Sequence, residues 1–95
     1  MTDNEILALV KAAMGVSGTD LDARLLIHLK AVKNLMTNYD IETEELESDL
    51  GIQAIALGVQ DFMNGNPGEV KFSLATEMAI IQLHHKSLPE VEDDV

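Results

Sequence analysis

Apolar residues recur along this chain at helical spacing in four blocks separated by polar or Gly-rich breaks, the pattern of an all-α protein. Thr2 with Glu5 three residues on is a capping box that opens a first helix. Gly15 stops that helix after Met14. Ile6, Leu9, Val10, Ala13 and Met14 are read as its core face. A second helix runs from Asp20 to about Thr37, capped by Thr19, with a core stripe of Leu21, Leu25, Leu29, Val32, Leu35 and Met36. Leu50 to Met63 is apolar on nearly every side, its polar stripe reduced to Gln53 and Gln60. That is the signature of a buried helix. Fourteen residues are too few to cross a bilayer, which needs about 20, so other protein must bury it. Gly51, Ala54 and Gly58 lie along one line of this helix and mark a close crossing by a neighbour. NGNPG breaks the chain at 64–68, Val70 to Phe72 reads as extended, and Ser73 caps a fourth helix from Leu74 to about Lys86. The expected architecture is a compact bundle of about four helices around the buried third one. One domain spans 1–87, and an acidic tail, mobile in the isolated protein, covers 88–95.

Two helices carry more apolar surface than one core needs. On the second, Leu26 and Ile27 fall on the charged side with Arg24, Lys30, Lys33 and Asn34, and with Ala23 and Ala31 they form a second strip. Either a partner covers that strip, or the first helix or the acidic loop does. The fourth helix has Leu74, Met78 and Ile81 on one side and Ala79, Ile80 and Leu83 on the other. One side fills the core and the other needs a partner. Ala23, Leu26, Ile27, Ala31, Ile80 and Leu83 are the candidate interface residues.

Composition narrows the possibilities. With no Trp, one Tyr and two Phe, the core must be aliphatic, and the absence of Cys excludes disulfides and thiolate metal sites. The acidic MTDNE start lacks the positive region of a signal peptide. Net charge is −11, concentrated in Asp40, Glu42, Glu44, Glu45, Glu47 and Asp49 and again in Glu90, Glu92, Asp93 and Asp94. Such a surface repels a phosphate backbone, so specific DNA binding is not expected.

Motifs for chemistry are missing. His84 and His85 are adjacent, which on a helix points them about 100° apart, and His28 lies on the core side of the second helix. No metal site is expected from them. There is no Cys nucleophile, no G-x-S-x-G turn, no phosphate loop and no EF-hand spacing. No enzymatic activity and no cofactor are expected. Asp61 stands out as an acid near the negative end of a buried helix. Either it accepts a hydrogen bond from the start of another helix, or the helix surfaces there.

In order, EILALVKAAMG, the DLDARLL opening of the second helix, ESDLGIQAIALGVQDFMN and NPGEVKFS resemble the small head-tail connector (adaptor) proteins of long-tailed bacteriophages, over residues 5 to 86. The resemblance implies a helical subunit that joins a homo-oligomeric ring of about a dozen copies beneath the portal protein. It further implies a place in the virion at the head-tail interface, reached from the host cytoplasm during assembly. The ring forms part of the DNA channel and a docking surface for a tail-side connector or tail completion protein. Some members are described as packaging proteins, and no membrane is involved. The family brings no catalytic residue to carry over, and the short stretch after the fourth helix departs from larger members with a long portal-embracing segment. Two other classes share the acidic character. An acyl carrier would need Asp-Ser-Leu at its attachment serine, whereas Ser48 stands between Glu47 and Asp49. A DNA mimic would fit the charge but not the apolar strips.

Overall fold

Helix ends in this chain are set by local capping, and most form where the side chains dictate. The computed structural model describes residues 1–65 and 72–87, the last two by backbone alone. The NPGEVK stretch at 66–71 and the acidic stretch 88–95 therefore lie outside the described residues. Helix α1 spans Asp3–Met14, α2 Asp22–Thr37, α3 Thr43–Leu46, α4 Asp49–Asn64 and α5 Leu74–Ser87. The described residues contain no strand, and the fold is an all-α bundle.

The capping box at α1 is complete. Thr2 Oγ1 accepts from the Glu5 N–H at 3.1 Å, and Glu5 Oε1 accepts from the Thr2 N–H at 2.7 Å. The Thr2 backbone N–H, and after it the Thr2 hydroxyl, hold the Glu5 carboxyl below its ordinary range. Gly15 closes the helix at φ 73°, a left-handed conformation that glycine adopts without steric penalty. The buried face, however, is Ile6, Leu7 and Val10, while Leu9 and Ala13 face solvent. The helix is rotated from the expected setting, which brings Leu7 inward.

Helix α2 begins two residues later than expected. Thr19 contributes its backbone carbonyl to the Asp22 N–H at 3.2 Å, and the N-cap is Leu21, without a side-chain cap bond. Leu25, Leu29, Val32 and Met36 are buried as expected, but Leu21 and Leu35 are exposed. Leu21 precedes the helix, and Leu35 lies about a quarter turn from the buried line. Helices α1 and α2 pack antiparallel, bridged at one end by Lys11–Asp22 and at the other by Lys33–Asp3, each at 2.6 Å.

Helix α4 packs on all four other helices, which makes it the centre of the bundle. Ser48 caps it, and Gln53 and Gln60 form its exposed stripe. The two glycines serve different neighbours. A Cβ on Gly51 would collide with the backbone carbonyls of Glu45 and Leu46, because α3 crosses there. A Cβ on Gly58 would lie 2.8 Å from Val32 Cγ1 and 3.3 Å from Phe72 Cε1, because α2 crosses there. Close backbone approach offsets the roughly 1 kcal/mol that each helical glycine costs. Ile41 and Leu46 are buried and pin the acidic segment between them to the core. The two phenylalanines sit at the edge: Phe62 packs 5.8 Å from both His28 and Phe72.

Candidate functional site

Helix α5 hangs on one carboxylate. Asp61 Oδ2, near the C-terminal end of α4, accepts from the Ser73 N–H at 2.8 Å and from the Thr76 hydroxyl at 2.7 Å. The charge that is misplaced on its own helix thus sits at the positive end of the next one. Of the two readings of Asp61, the hydrogen bond to another helix start is the one observed. Ser73 adds the expected cap, its hydroxyl accepting from the Thr76 N–H at 3.3 Å.

This contact decides which side of α5 turns inward. Thr76 is fully buried with Ala79, Ile80 and Leu83. Ile80, 5% exposed, and Leu83, 0% exposed, are therefore core residues and not an outward strip. The outward strip is the other side, Leu74, Met78 and Ile81, at 71%, 52% and 55% exposure. Thr76 explains the exchange, since a polar residue on a helix face reads as solvent-facing until its buried partner is known.

The second strip, on α2, divides. Ile27 is 68% exposed and Ala23 is exposed, Ala31 is half-buried, and Leu26 packs against the core. Arg24 and Lys30 flank Ile27 at about 60° on either side of the helix, and both are exposed. Lys11 and Lys33 have partners within the chain, whereas Arg24 and Lys30 make no ion pair among the described residues.

Between the C-terminal turn of α2 and α5 lies an open cleft of about 460 Å³, its walls including Tyr39, Asp40, Glu77, Ile80, Ile81 and His84. Ile80 and Ile81 give it apolar lining, and Asp40 and Glu77 give it two carboxylates. Asp40 has φ 62°, a left-handed setting that Asp and Asn tolerate better than most residues. His84 Nδ1–H donates to the Tyr39 carbonyl at 2.8 Å and ties the two walls together. A second groove of about 340 Å³ runs between α1 and α4 beside Met14, Gln53, Leu57 and Gln60.

No group of three metal-ligating side chains converges among the described residues, and the rings of His84 and His85 lie 6.4 Å apart, tilted by 60°. Ser48 Oγ donates to the Glu45 carbonyl at 2.6 Å and accepts from the Gly51 N–H at 3.1 Å. No described helix is long and apolar enough to cross a membrane. Comparison of the chain with protein-family models, with curated proteins and with solved structures finds no match.

Proposed function

We propose that the chain is a structural subunit of a phage head-tail connector, which assembles into a ring of about a dozen copies under the portal protein. In this reading the ring lines part of the DNA channel and presents the surface on which a tail-side protein docks. The observation that carries it is the pair of unpartnered apolar faces, Ile27 on α2 and Leu74, Met78 and Ile81 on α5. Both helices pack on α4, so two different surfaces of one subunit are left for neighbours. That is the requirement for a heterologous contact that closes by rotation. The resemblance in the order of sequence segments supplies the biological setting, and the net charge of −11 suits a channel that DNA must slide through without sticking.

The magnitudes favour weak association of the free subunit. Full burial of an aliphatic side chain contributes about 1.5–3 kcal/mol, so covering these partly exposed residues contributes roughly 5 kcal/mol per contact. Lost translational and rotational freedom costs about 4–15 kcal/mol. Rings should therefore form at high concentration or on a template that pre-positions the copies. Sedimentation velocity across a concentration series, with negative-stain microscopy at the top of it, tests this directly. Closed rings support the assignment, and a strict monomer at every concentration and in the presence of portal-bearing heads contradicts it. The acyl-carrier alternative lacks its attachment motif, since Ser48 stands between Glu47 and Asp49. A DNA mimic would leave both apolar faces without a use.

A further inference from the structure

We propose that the outer face of α2 on one copy seats in the acidic cleft of the next. Ile27 packs on the aliphatic lining at Ile80 and Ile81, with Arg24 and Lys30 against Glu77 and Asp40. This pairing rests on the ring assignment above and specifies its contact.

Charge complementarity carries it. Arg24 and Lys30 lack a partner within the described residues, as do Asp40 and Glu77. The two cations stand about 9 Å apart along α2, with the exposed Ile27 between them. The cleft offers the complementary groups, the carboxylates of Asp40 and Glu77 together with the aliphatic carbon of Ile80 and Ile81. On a chain of net charge −11, a basic strip beside an exposed isoleucine is an exception. The acidic cleft is the surface that suits it. The contact is head-to-tail, so each copy that docks leaves one knob and one cleft free, and addition continues until the ring closes.

Salt alone is a poor probe, because it weakens the local pairs and also relieves repulsion between copies that each carry −11. Cross-linking is better, since the chain has no native cysteine. Ile27→Cys and Ile81→Cys, each at an exposed position, are mixed and oxidised. The expected product is the mixed 27–81 dimer, in about fivefold or greater excess over either same-position dimer, and a chain carrying both substitutions gives a ladder of oligomers. Charge reversal provides an independent measurement. Arg24→Glu with Lys30→Glu, or Asp40→Asn with Glu77→Lys, should each weaken association about tenfold or more, and mixing the two variants should recover most of the loss. Asparagine at position 40 keeps the left-handed turn, and circular dichroism verifies the fold of each variant. Rings that form with same-position cross-links, or with no mixed cross-link, overturn the pairing and leave the ring assignment standing. So does a cleft that takes a portal or tail segment instead of a second copy. A wild-type chain that forms no ring, alone or on heads, overturns both.

Discussion

Replacing Asp61 with Ala should detach α5 from the bundle before anything else fails. The carboxylate accepts from the Ser73 N–H at 2.8 Å and from the Thr76 hydroxyl at 2.7 Å. A hydrogen bond to a charged group contributes about 1.5–3 kcal/mol. Ser73 is exposed, so water replaces most of its share, and the Thr76 hydroxyl keeps a second contact with Ser73 Oγ at 3.1 Å. The loss should therefore be about 2–3 kcal/mol, close to the lower bound for two charged bonds. For a domain of this size each kcal/mol shifts the melting temperature by about 4–8 °C, so Asp61→Ala should melt roughly 10–20 °C lower. Asp61→Asn keeps an acceptor and should lose about half as much. Urea unfolding and far-UV circular dichroism give the stabilities, and hydrogen exchange of the α5 amides locates the effect. A double-mutant cycle with Thr76→Val should return a coupling of about 1 kcal/mol or more. An Asp61→Ala variant within about 0.5 kcal/mol of wild type, or additive with Thr76→Val, would refute the reasoning. Because the cleft has α5 as one wall, Asp61→Ala should impair assembly as well.

Further outcomes follow from the same geometry. Gly58→Ala presses on the Val32 side chain at 2.8 Å and should cost about 1–3 kcal/mol, part of it recovered by Val32→Ala. Gly51→Ala meets backbone carbonyls that cannot rotate away, so it should cost more, with no side-chain change able to rescue it; chemical denaturation distinguishes the two. The depressed carboxyl of Glu5 contributes stability that is present above its ordinary value of 4.5 and is lost as pH falls through the lower folded value. Glu5→Gln should accordingly flatten the acid limb of α1 fraying, measured by amide exchange against pH. Met78→Glu, on the outward strip of α5, should leave the melting temperature nearly unchanged and reduce assembly, whereas Leu83→Glu should unfold the chain.

Features governed by neighbouring residues were legible in the sequence. The Thr2 and Glu5 box, the Gly15 stop and the Ser73 cap each depend on residues about a turn apart, and the all-round apolar α4 depends on one continuous stretch. The glycine line on α4 was legible as close packing, but two different helices answer it, because Gly51 and Gly58 lie two turns apart. Which side of α5 faces the core was not legible. Its two faces carry similar apolar surface, and the choice falls to Asp61 and Thr76, fifteen residues apart. Hence sequence pattern alone puts Ile80 and Leu83 outside, where Leu74, Met78 and Ile81 belong. Leu26 shares the charged side with Ile27 in the sequence pattern, but adjacent helical residues point about 100° apart, and Leu26 packs against the core. The cleft had no sequence signal either, since it depends on the left-handed turn at Asp40 and on the docking of α5.

Incubation of the purified chain with portal-bearing, tail-less heads tests the central claim most directly, with bound copies counted by quantitative mass spectrometry and the heads imaged by electron microscopy. The account predicts a saturating ring of about a dozen copies at the portal vertex, abolished by Ile27→Glu and reduced by Met78→Glu in a folded protein. Heads that bind no copies, or bind them all over the shell with no preference for the portal vertex, would contradict it.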